Sequence, residues 1–301
     1  MGLLVALGNV IVPVLVVAGA GFGLGRLFPL DAGTISKIAL NALTPALCLN
    51  VLLTTEVSGA VGATLIAAYV AVSLVGAAIG GLLTPAVAAP TRRAVMASVA
   101  ISNSGNMGLP IALFALGQAG FEQSVLMFLA SVILGFIVGP LLFGSGQGIG
   151  GSLRNLAKLP ALWAIAVALI MRTLGWSLPV GLMRGVEMLA DAALPIVLLA
   201  LGVQLGATKS VQLTRPVLTA SLVRVVGMPF LSLGVGLLFG LSGVPLQALV
   251  LAGAMPTAVN AFLLSLEYKG DVRTVADTVT ISTLLSLFVT AAVTAALPLL
   301  P

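Results

Sequence analysis

The stretch Ser102-Asn-Ser-Gly-Asn-Met-Gly-Leu-Pro110 decides the fold. It lies within an apolar segment long enough to cross a membrane, yet it carries polar side chains together with Gly and Pro, which loosen helices. A second stretch of this kind, Met255-Pro-Thr-Ala-Val-Asn-Ala261, interrupts another apolar segment. In hydrocarbon, a broken helix survives only where protein or a watery cavity satisfies its backbone. The two stretches therefore predict two helices that are interrupted at membrane depth.

The composition sets the class of protein. Of the 301 residues, 60% are hydrophobic and only 7% are charged, whereas a soluble domain carries about a quarter charged residues. Apolar runs of about 20 residues, the length that spans a bilayer, recur along nearly the whole chain. The short alternating segments of an outer-membrane barrel do not occur in the sequence. An all-α, multi-pass membrane protein is expected.

Ten membrane helices joined by short loops are predicted. Their ranges are 2–28, 34–54, 60–84, 93–117, 122–143, 155–175, 186–206, 215–240, 245–267 and 273–297. One side of the membrane then receives ten basic residues, and the other receives only Arg172 and Arg184. The ten are Arg26, Lys37, Arg92, Arg93, Arg154, Lys158, Lys209, Arg215, Lys269 and Arg273. The positive-inside rule makes the first side cytoplasmic, with both termini outside, as in a bacterial inner-membrane protein.

A constant shift along the chain predicts an internal repeat. Three pairs of helix-breaking or polar residues are each 150 positions apart, namely Pro45 with Pro195, Asn106 with Pro256 and Pro110 with Asn260. Five helices per half is an odd number, so two halves of one fold must be inverted in the membrane. The predicted division is a first repeat at 1–143, a cytoplasmic linker at 144–154 and an inverted second repeat at 155–301.

Matched interrupted helices are the best sequence indication of a transporter's binding site. Each break leaves a half-helix start, whose free N–H groups and partial positive charge favour an anion. The alternative for any single segment is a structural kink, because Pro and Gly are common in membrane helices. The residues expected to bind substrate are Asn50, Asn103, Gly105, Asn106, Met107, Pro110, Pro256, Thr257 and Asn260.

Of the ionisable residues within the predicted helices, where charges are costly and usually functional, Asp191, Arg224 and Asp277 are the candidates for a functional role. Arg224 lies near mid-depth of the eighth helix and has two open interpretations. It either balances the charge of the substrate or pairs structurally with Asp191 or with backbone carbonyls. Asp277 is one turn from Arg273, so a solvated interfacial carboxylate is favoured over a coupling-ion ligand. All three remain candidates for coupling or counter-charge.

Other classes of function find little support in the sequence. With no His and a single Cys, nucleophile chemistry, a metal centre and a cofactor site are not expected, and the chain is not expected to be an enzyme. Its basic residues are scattered, so nucleic acid is not an expected partner. The expected partners are a small carboxylate and the lipid bilayer, and the sequence is compatible with a homodimer. The alternatives are a proton- or sodium-coupled antiporter using Asp191 or Asp277, and a non-transporting receptor or assembly subunit.

The chain resembles the auxin efflux carrier family, within the superfamily of bile-acid, arsenite and riboflavin transporters. The resemblance rests mainly on Asn103-Ser-Gly-Asn-Met-Gly-Leu-Pro110 and Met255-Pro-Thr-Ala-Val-Asn-Ala-Phe262. Supporting motifs are Ala190-Asp191-Ala192, Arg224-Val-Val-Gly-Met-Pro229 and Glu267-Tyr268. It implies ten helices in a scaffold domain and a transport domain, with the fourth and ninth helices crossing at their breaks and an elevator-type motion.

The same resemblance implies roles and a substrate class. Asn106 would contact the substrate carboxylate, with Asn260 opposite, where the plant carriers have a second Pro instead. The short central loop is similar to that of the bacterial branch, which is associated with malonate and malate, while the plant branch carries auxin-like acids. The expected function is therefore secondary transport of a small organic anion.

Overall fold

A computed structural model describes residues 5, 7–54, 59–143, 157–207 and 210–301. Over these residues, seven helices are long and apolar enough to cross a membrane. They are Gly8–Leu27, Gly33–Thr54, Gly59–Leu82, Ser104–Phe143, Val180–Ala207, Arg215–Leu238 and Val272–Leu299. Two shorter apolar helices, Pro160–Leu174 and Gly243–Gly253, accompany them. The chain is a multi-pass helical membrane protein.

In detail, the α-helices are α1 Val12–Leu27, α2 Ala32–Ile38, α3 Thr44–Thr54, α4 Gly59–Leu82, α5 Ala89–Ala100, α6 Leu109–Phe143, α7 Pro160–Leu174, α8 Val180–Ala207, α9 Arg215–Leu222, α10 Met228–Leu238, α11 Gly243–Gly253, α12 Val259–Glu267 and α13 Val272–Ala296. Single π turns, at Leu7–Ile11, Ala39–Leu43, Ser104–Gly108 and Val223–Gly227, precede α1, α3, α6 and α10. Each π turn continues directly into the helix that follows it. As a result, α2 with α3 forms one longer membrane segment, and α9 with α10 forms another.

The helices form two compact units. The smaller unit comprises Pro13–Val57 and Arg154–Thr208, and the larger comprises Met1–Val12, Ser58–Leu153 and Lys209–Pro301. Both interrupted stretches belong to the larger unit. Each unit takes segments from both halves of the chain. The two units are therefore not the two predicted repeats, and the boundaries of the repeats stay a prediction. The predicted linker at 144–154 lies outside the described residues.

Glycines bring α1 and α8 of the smaller unit into backbone contact. A Cβ on Gly25 would lie 2.7 Å from the carbonyl oxygen of Val203, and one on Gly206 would lie 2.8 Å from that of Phe22. Gly21 and Gly202, one turn away, lie closer still to the facing backbone, at Leu199 and Ala18. Both helices thus present glycines four residues apart, the pattern that lets membrane helices pack closely.

In the larger unit, the interruption of the fourth predicted helix lies earlier than expected. α5 ends at Ala100, the chain is extended at 101–103, and a π turn leads into α6. Pro110 does not interrupt a helix: the helical segment that begins with the π turn at Ser104 continues through it into α6. The predicted boundary between the fourth and fifth helices is a kink within α6 at Gly117, whose φ of 66° suits glycine.

Candidate functional site

Two extended breaks pair with each other in the larger unit. The first break, residues 101–103, follows α5, and the second break, residues 254–258, follows α11. Ser102 and Thr257 form an antiparallel bridge. The N–H of Asn103 donates to the Pro256 carbonyl at 2.7 Å, and the N–H of Ala258 donates to the Ile101 carbonyl at 2.9 Å. These paired breaks satisfy each other's backbone, which is what hydrocarbon requires of a non-helical segment.

Thr257 fastens the second break to its neighbours. Its hydroxyl donates to the Ser98 carbonyl at 2.8 Å, and its N–H donates to the Ser282 hydroxyl oxygen at 3.1 Å. Ser282 lies on α13, where buried hydroxyl residues recur every fourth position from Thr274 to Thr294. One face of α13 therefore supplies polar partners to the paired breaks from inside the unit.

Three buried hydroxyls fasten the first break. The Tyr69 hydroxyl, on α4, lies 2.7 Å from the Ser102 hydroxyl and 3.0 Å from the Ser104 hydroxyl. The two serine hydroxyls are themselves 2.6 Å apart. Each oxygen can donate one bond and accept another, so the three form a closed ring that fixes the backbone where the helix restarts.

Arg224 binds the ends of the two helices that enter the breaks. Its guanidinium donates to the carbonyls of Val99, Ala252, Gly253 and Met255 at 2.8 to 3.1 Å. The residue is only 2% exposed. Of the two interpretations left open by the sequence, the structure favours the structural one, with carbonyls rather than Asp191 as partners. Asp191 is exposed and belongs to the smaller unit.

Four residues of the paired stretches are accessible. Between 97 and 112 only Gly105 and Asn106 are half-buried, and between 248 and 261 only Val259 and Asn260 are; every other residue in these ranges is buried. All four lie in the first turn of a helical segment that follows a break. N–H groups in a first turn have no partner within the helix. We call these four residues the two helix starts.

The remaining predicted binding residues divide into two groups. Asn103, Met107, Pro110, Pro256 and Thr257 are buried. Asn50 is half-buried and lies in the smaller unit. The structure therefore leaves Gly105, Asn106 and Asn260 accessible, each within a few residues of a break, and adds Val259, which the sequence did not single out because an apolar side chain gives no signal for a backbone donor.

The spacing between the two breaks differs from the expected shift of 150. Ser102 pairs with Thr257, 155 positions later. The helical segments that follow the breaks begin at Ser104 and Val259, which are also 155 positions apart. The match of Asn106 with Pro256 and of Pro110 with Asn260 is therefore wrong at the paired breaks. Loops of unequal length between the earlier helices shift the register, and a comparison without gaps cannot detect them.

Asp277 is not the solvated carboxylate expected from the sequence. Its side chain is buried, and one of its oxygens lies 3.9 Å from Nε of the exposed Arg273. Asp277 lies on α13, about one turn after that helix begins at Val272. Its carboxylate is directed into the unit rather than into water. Burial keeps it among the candidates for coupling.

A cavity beside the paired breaks is too small for an organic ligand. Ser104 and Ser124 provide its hydroxyls, and Gly108, Met127 and Met255 contribute to its mainly apolar wall. Its free volume of about 10 Å³ suits a single water molecule.

The sequence also missed two buried residues that support the breaks through hydrogen bonds, Tyr69 and Ser282. Tyr69 and Ser282 lie on intact helices, where a lone hydroxyl in an apolar run gives no sign of its partner. A weak signal existed for Ser282, because serines and threonines recur at four-residue spacing along α13. That spacing predicts one polar face on a membrane helix.

Comparison with known proteins agrees with this architecture. The model of a family described as "Membrane transport protein" matches residues 150–294. An uncharacterized transporter of Methanothermobacter thermautotrophicus is 26% identical over 279 residues, 88% of each chain. A protein of Rhizobium meliloti, provisionally named a malonate transporter, is 28% identical over 198 residues, 62% of this chain and 61% of its own. An uncharacterized transporter of Methanocaldococcus jannaschii is 26% identical over 64% of each chain.

The fold and these similarities define a multi-pass membrane transporter. Residues 150–294 are similar to this family of membrane transport proteins, which agrees with the resemblance to the auxin efflux carrier family carried by the motifs around the two breaks.

Proposed function

We propose that the protein is a secondary transporter of small carboxylates, which bind at the two helix starts. The observation that carries the proposal is the exposure pattern. Gly105, Asn106, Val259 and Asn260 are accessible where everything around them in the paired stretches is buried. Their N–H groups and the two Asn amides are hydrogen-bond donors, and helix N-termini attract anions.

The substrate class follows from the kind of donor available. Arg224 makes four carbonyl bonds and is buried, so it offers no free guanidinium to a ligand. Backbone N–H groups and neutral amides can bind a single carboxylate without a paired cation. The similarity to a protein provisionally named a malonate transporter supports small carboxylates as the class to test first.

We further propose ten membrane helices in two inverted repeats and an elevator mechanism. The paired breaks support two crossing helices, each formed by a half-helix on either side of a break. Three further spans reconcile the seven membrane-length helices with ten. α5 with its continuation up to the kink at Gly117 is one span, α11 with α12 is another, and α7 is the third. We take the two compact units as the scaffold and transport domains, and the distribution of Lys and Arg supports both termini outside a bacterial inner membrane.

The test is carboxylate binding by the purified full-length protein. Acetate, malonate, malate and indole-3-acetate are screened by thermal shift, and the carboxylates that stabilise the protein are then measured for uptake into proteoliposomes. Asn106→Ala and Asn260→Ala should each abolish the carboxylate-dependent shift without lowering the melting temperature of the ligand-free protein. Asn9→Ala, the same change at an exposed position, should leave the shift intact.

Two outcomes would reject the proposal. If no carboxylate stabilises or is transported by the native protein, the substrate class is wrong. If binding occurs but the two Asn variants respond like the native protein, the site is wrong. Binding without uptake would instead favour the receptor alternative.

A second candidate concerns coupling, and the burial of Asp277 favours it. Buried carboxylates within membrane helices are usually functional, and Asp277 has one long ion pair, to Arg273. Uptake is measured with and without an imposed pH gradient, in the native protein and in Asp277→Asn. Gradient-driven uptake that persists in the variant would exclude Asp277 as the coupling residue.

A further inference from the structure

We propose that Arg224 is a positioning residue for anion binding, which acts through the helices it holds and never touches the anion. It neutralises the partial negative charge at the C-terminal ends of α5 and α11. Those ends then no longer cancel the partial positive charge of the helix starts beside them. The inference rests on the proposed function, because it concerns the affinity of that same site.

The geometry excludes direct ligand contact by Arg224. Nε donates to Met255, Nη1 to Val99, and Nη2 to both Ala252 and Gly253. These carbonyls belong to the last turns of α5 and α11 and to the second break. The last carbonyls of a helix have no partner within it. A planar guanidinium with five N–H donors can satisfy several of them at once, which an ammonium group cannot do in the same geometry.

The charges at the paired breaks explain the consequence. A helix carries about half a positive charge at its N-terminus and about half a negative charge at its C-terminus. Two C-terminal ends and two helix starts meet at the breaks, so their partial charges alone would sum to about zero. One guanidinium bound to the negative ends leaves a net charge of about one positive unit. In a medium of low dielectric constant, an anion at the helix starts senses that charge without contact.

The local backbone is built to present Arg224. It is the second residue of the π turn Val223–Gly227, between α9 and α10. A single π turn inside a helix is frequently found at functional sites. Pro229 follows within the first turn of α10, where it adds no unpaired N–H. The side chain is thereby aimed into the unit at a depth where an unpaired charge would be very costly.

The experiment compares the full-length protein with Arg224→Gln, which removes the charge, and Arg224→Lys, which keeps it. Thr290→Val is the matched control, because it deletes one buried hydrogen bond to the second break, the bond to the Ala254 carbonyl, without a change of charge. Malonate affinity is measured by calorimetry at about pH 6.5, where a buried lysine keeps more of its proton than at higher pH. Acetate replaces malonate if malonate does not bind.

Arg224→Gln should weaken binding by about tenfold or more, and Arg224→Lys by about threefold or less. Thr290→Val should keep native affinity even where its melting temperature falls as far as that of Arg224→Gln. Equal affinity in Arg224→Gln and Thr290→Val, or equal loss in the Lys and Gln variants, would overturn the proposal. If Arg224→Gln does not fold, Arg224→Lys is titrated upward in pH, and its affinity should fall while that of the native protein stays level; level affinity in both overturns it.

Failure of the proposed function gives a different result. In that case the native protein binds none of the carboxylates, and the ligand-free melting temperatures become the test. Charge neutralisation at two helix ends requires Arg224→Lys to be more stable than Arg224→Gln at about pH 6.5. Equal stability would overturn the inference independently of any ligand.

Discussion

Thr257 shows how a single side chain can hold a non-helical segment within a membrane protein. It is fully buried, and its hydroxyl is bonded to the Ser98 carbonyl. Valine has nearly the same shape but cannot donate, so Thr257→Val leaves that carbonyl without its side-chain partner. We expect a loss of about 1–3 kcal/mol in the free energy of unfolding, measured by thermal or denaturant unfolding in detergent.

Thr280→Val is the matched control for this prediction. Thr280 donates only to the Ala276 carbonyl one turn back on its own helix, and that carbonyl keeps its place in the helical ladder. A clearly smaller loss is expected. Equal losses in the two variants would show that the bond to Ser98 has no special part in holding the breaks.

Asp271 makes the stability of the larger unit depend on pH. Burial by itself would raise the pKa of Asp271, but hydrogen bonds from the Thr274 N–H and from the Thr91 and Thr274 hydroxyls outweigh it, so the pKa lies below the ordinary value. The carboxylate caps the start of α13 and, through Thr91, holds the start of α5. It therefore links the helix behind the breaks to one that enters them.

The direction of the pH effect follows from this lowered pKa. The stabilisation is complete above the unfolded-state pKa, about 3.9, and is lost as the pH falls through the lower folded-state value. The melting temperature of the native protein should therefore fall on acidification. Asp271→Asn should be less stable at neutral pH, and its deficit should shrink at low pH. A deficit that is constant across the range would contradict the prediction.

At the scale of helices, glycines on α1 differ sharply in what they permit. Gly25 faces the backbone of Val203, whereas a Cβ on Gly23 would meet nothing within 4 Å. Gly25→Ala should force α1 and α8 apart and destabilise by about 1–3 kcal/mol. Gly23→Ala should be neutral or slightly stabilising, because Ala favours a helix by about 1 kcal/mol over Gly. Unfolding of the two variants under the same conditions tests this, and equal effects would contradict it.

The sequence predicted the positions of helices better than the details of their breaks. Apolar length and helix-breaking residues located most segments to within a few positions. The break after α5 was placed too late because Pro110 dominates the pattern, although the helical segment from Ser104 to Phe143 continues through it. The kink at Gly117 was taken for a loop, since a left-handed glycine and a helix end look alike in sequence.

The candidate site was predictable only in part, and for a physical reason. Asn106, Gly105 and Asn260 were identified because polar and helix-breaking residues are conspicuous in an apolar run. The partners of Arg224 could not be identified from the sequence, because every residue has a carbonyl. Whether that carbonyl is available to a side chain depends on where a helix ends. Val259 donates through its backbone, which leaves no mark in the side-chain pattern.

At the scale of the whole molecule, alternating access predicts that one position is reached from each side of the membrane in turn. The single cysteine, Cys48, is buried and can be replaced by Ala. Val259→Cys in that background then places one thiol at a helix start. In proteoliposomes of known orientation, it should react with an impermeant thiol reagent from both sides, and a bound carboxylate should slow both reactions. Labelling from one side only would contradict transport by alternating access.

The paired breaks also impose an order on biosynthesis. The Val99 carbonyl is bonded by a residue made 125 positions later, and the Ile101 carbonyl is bonded by Ala258, made later still. At about 5–20 residues per second, a ribosome needs roughly 6–30 s to produce these partners. During that interval the nascent first half holds an open break in the bilayer. Chains truncated before α11 should therefore be rapidly degraded, and newly made chains should remain with the insertion machinery until α12 has been synthesised.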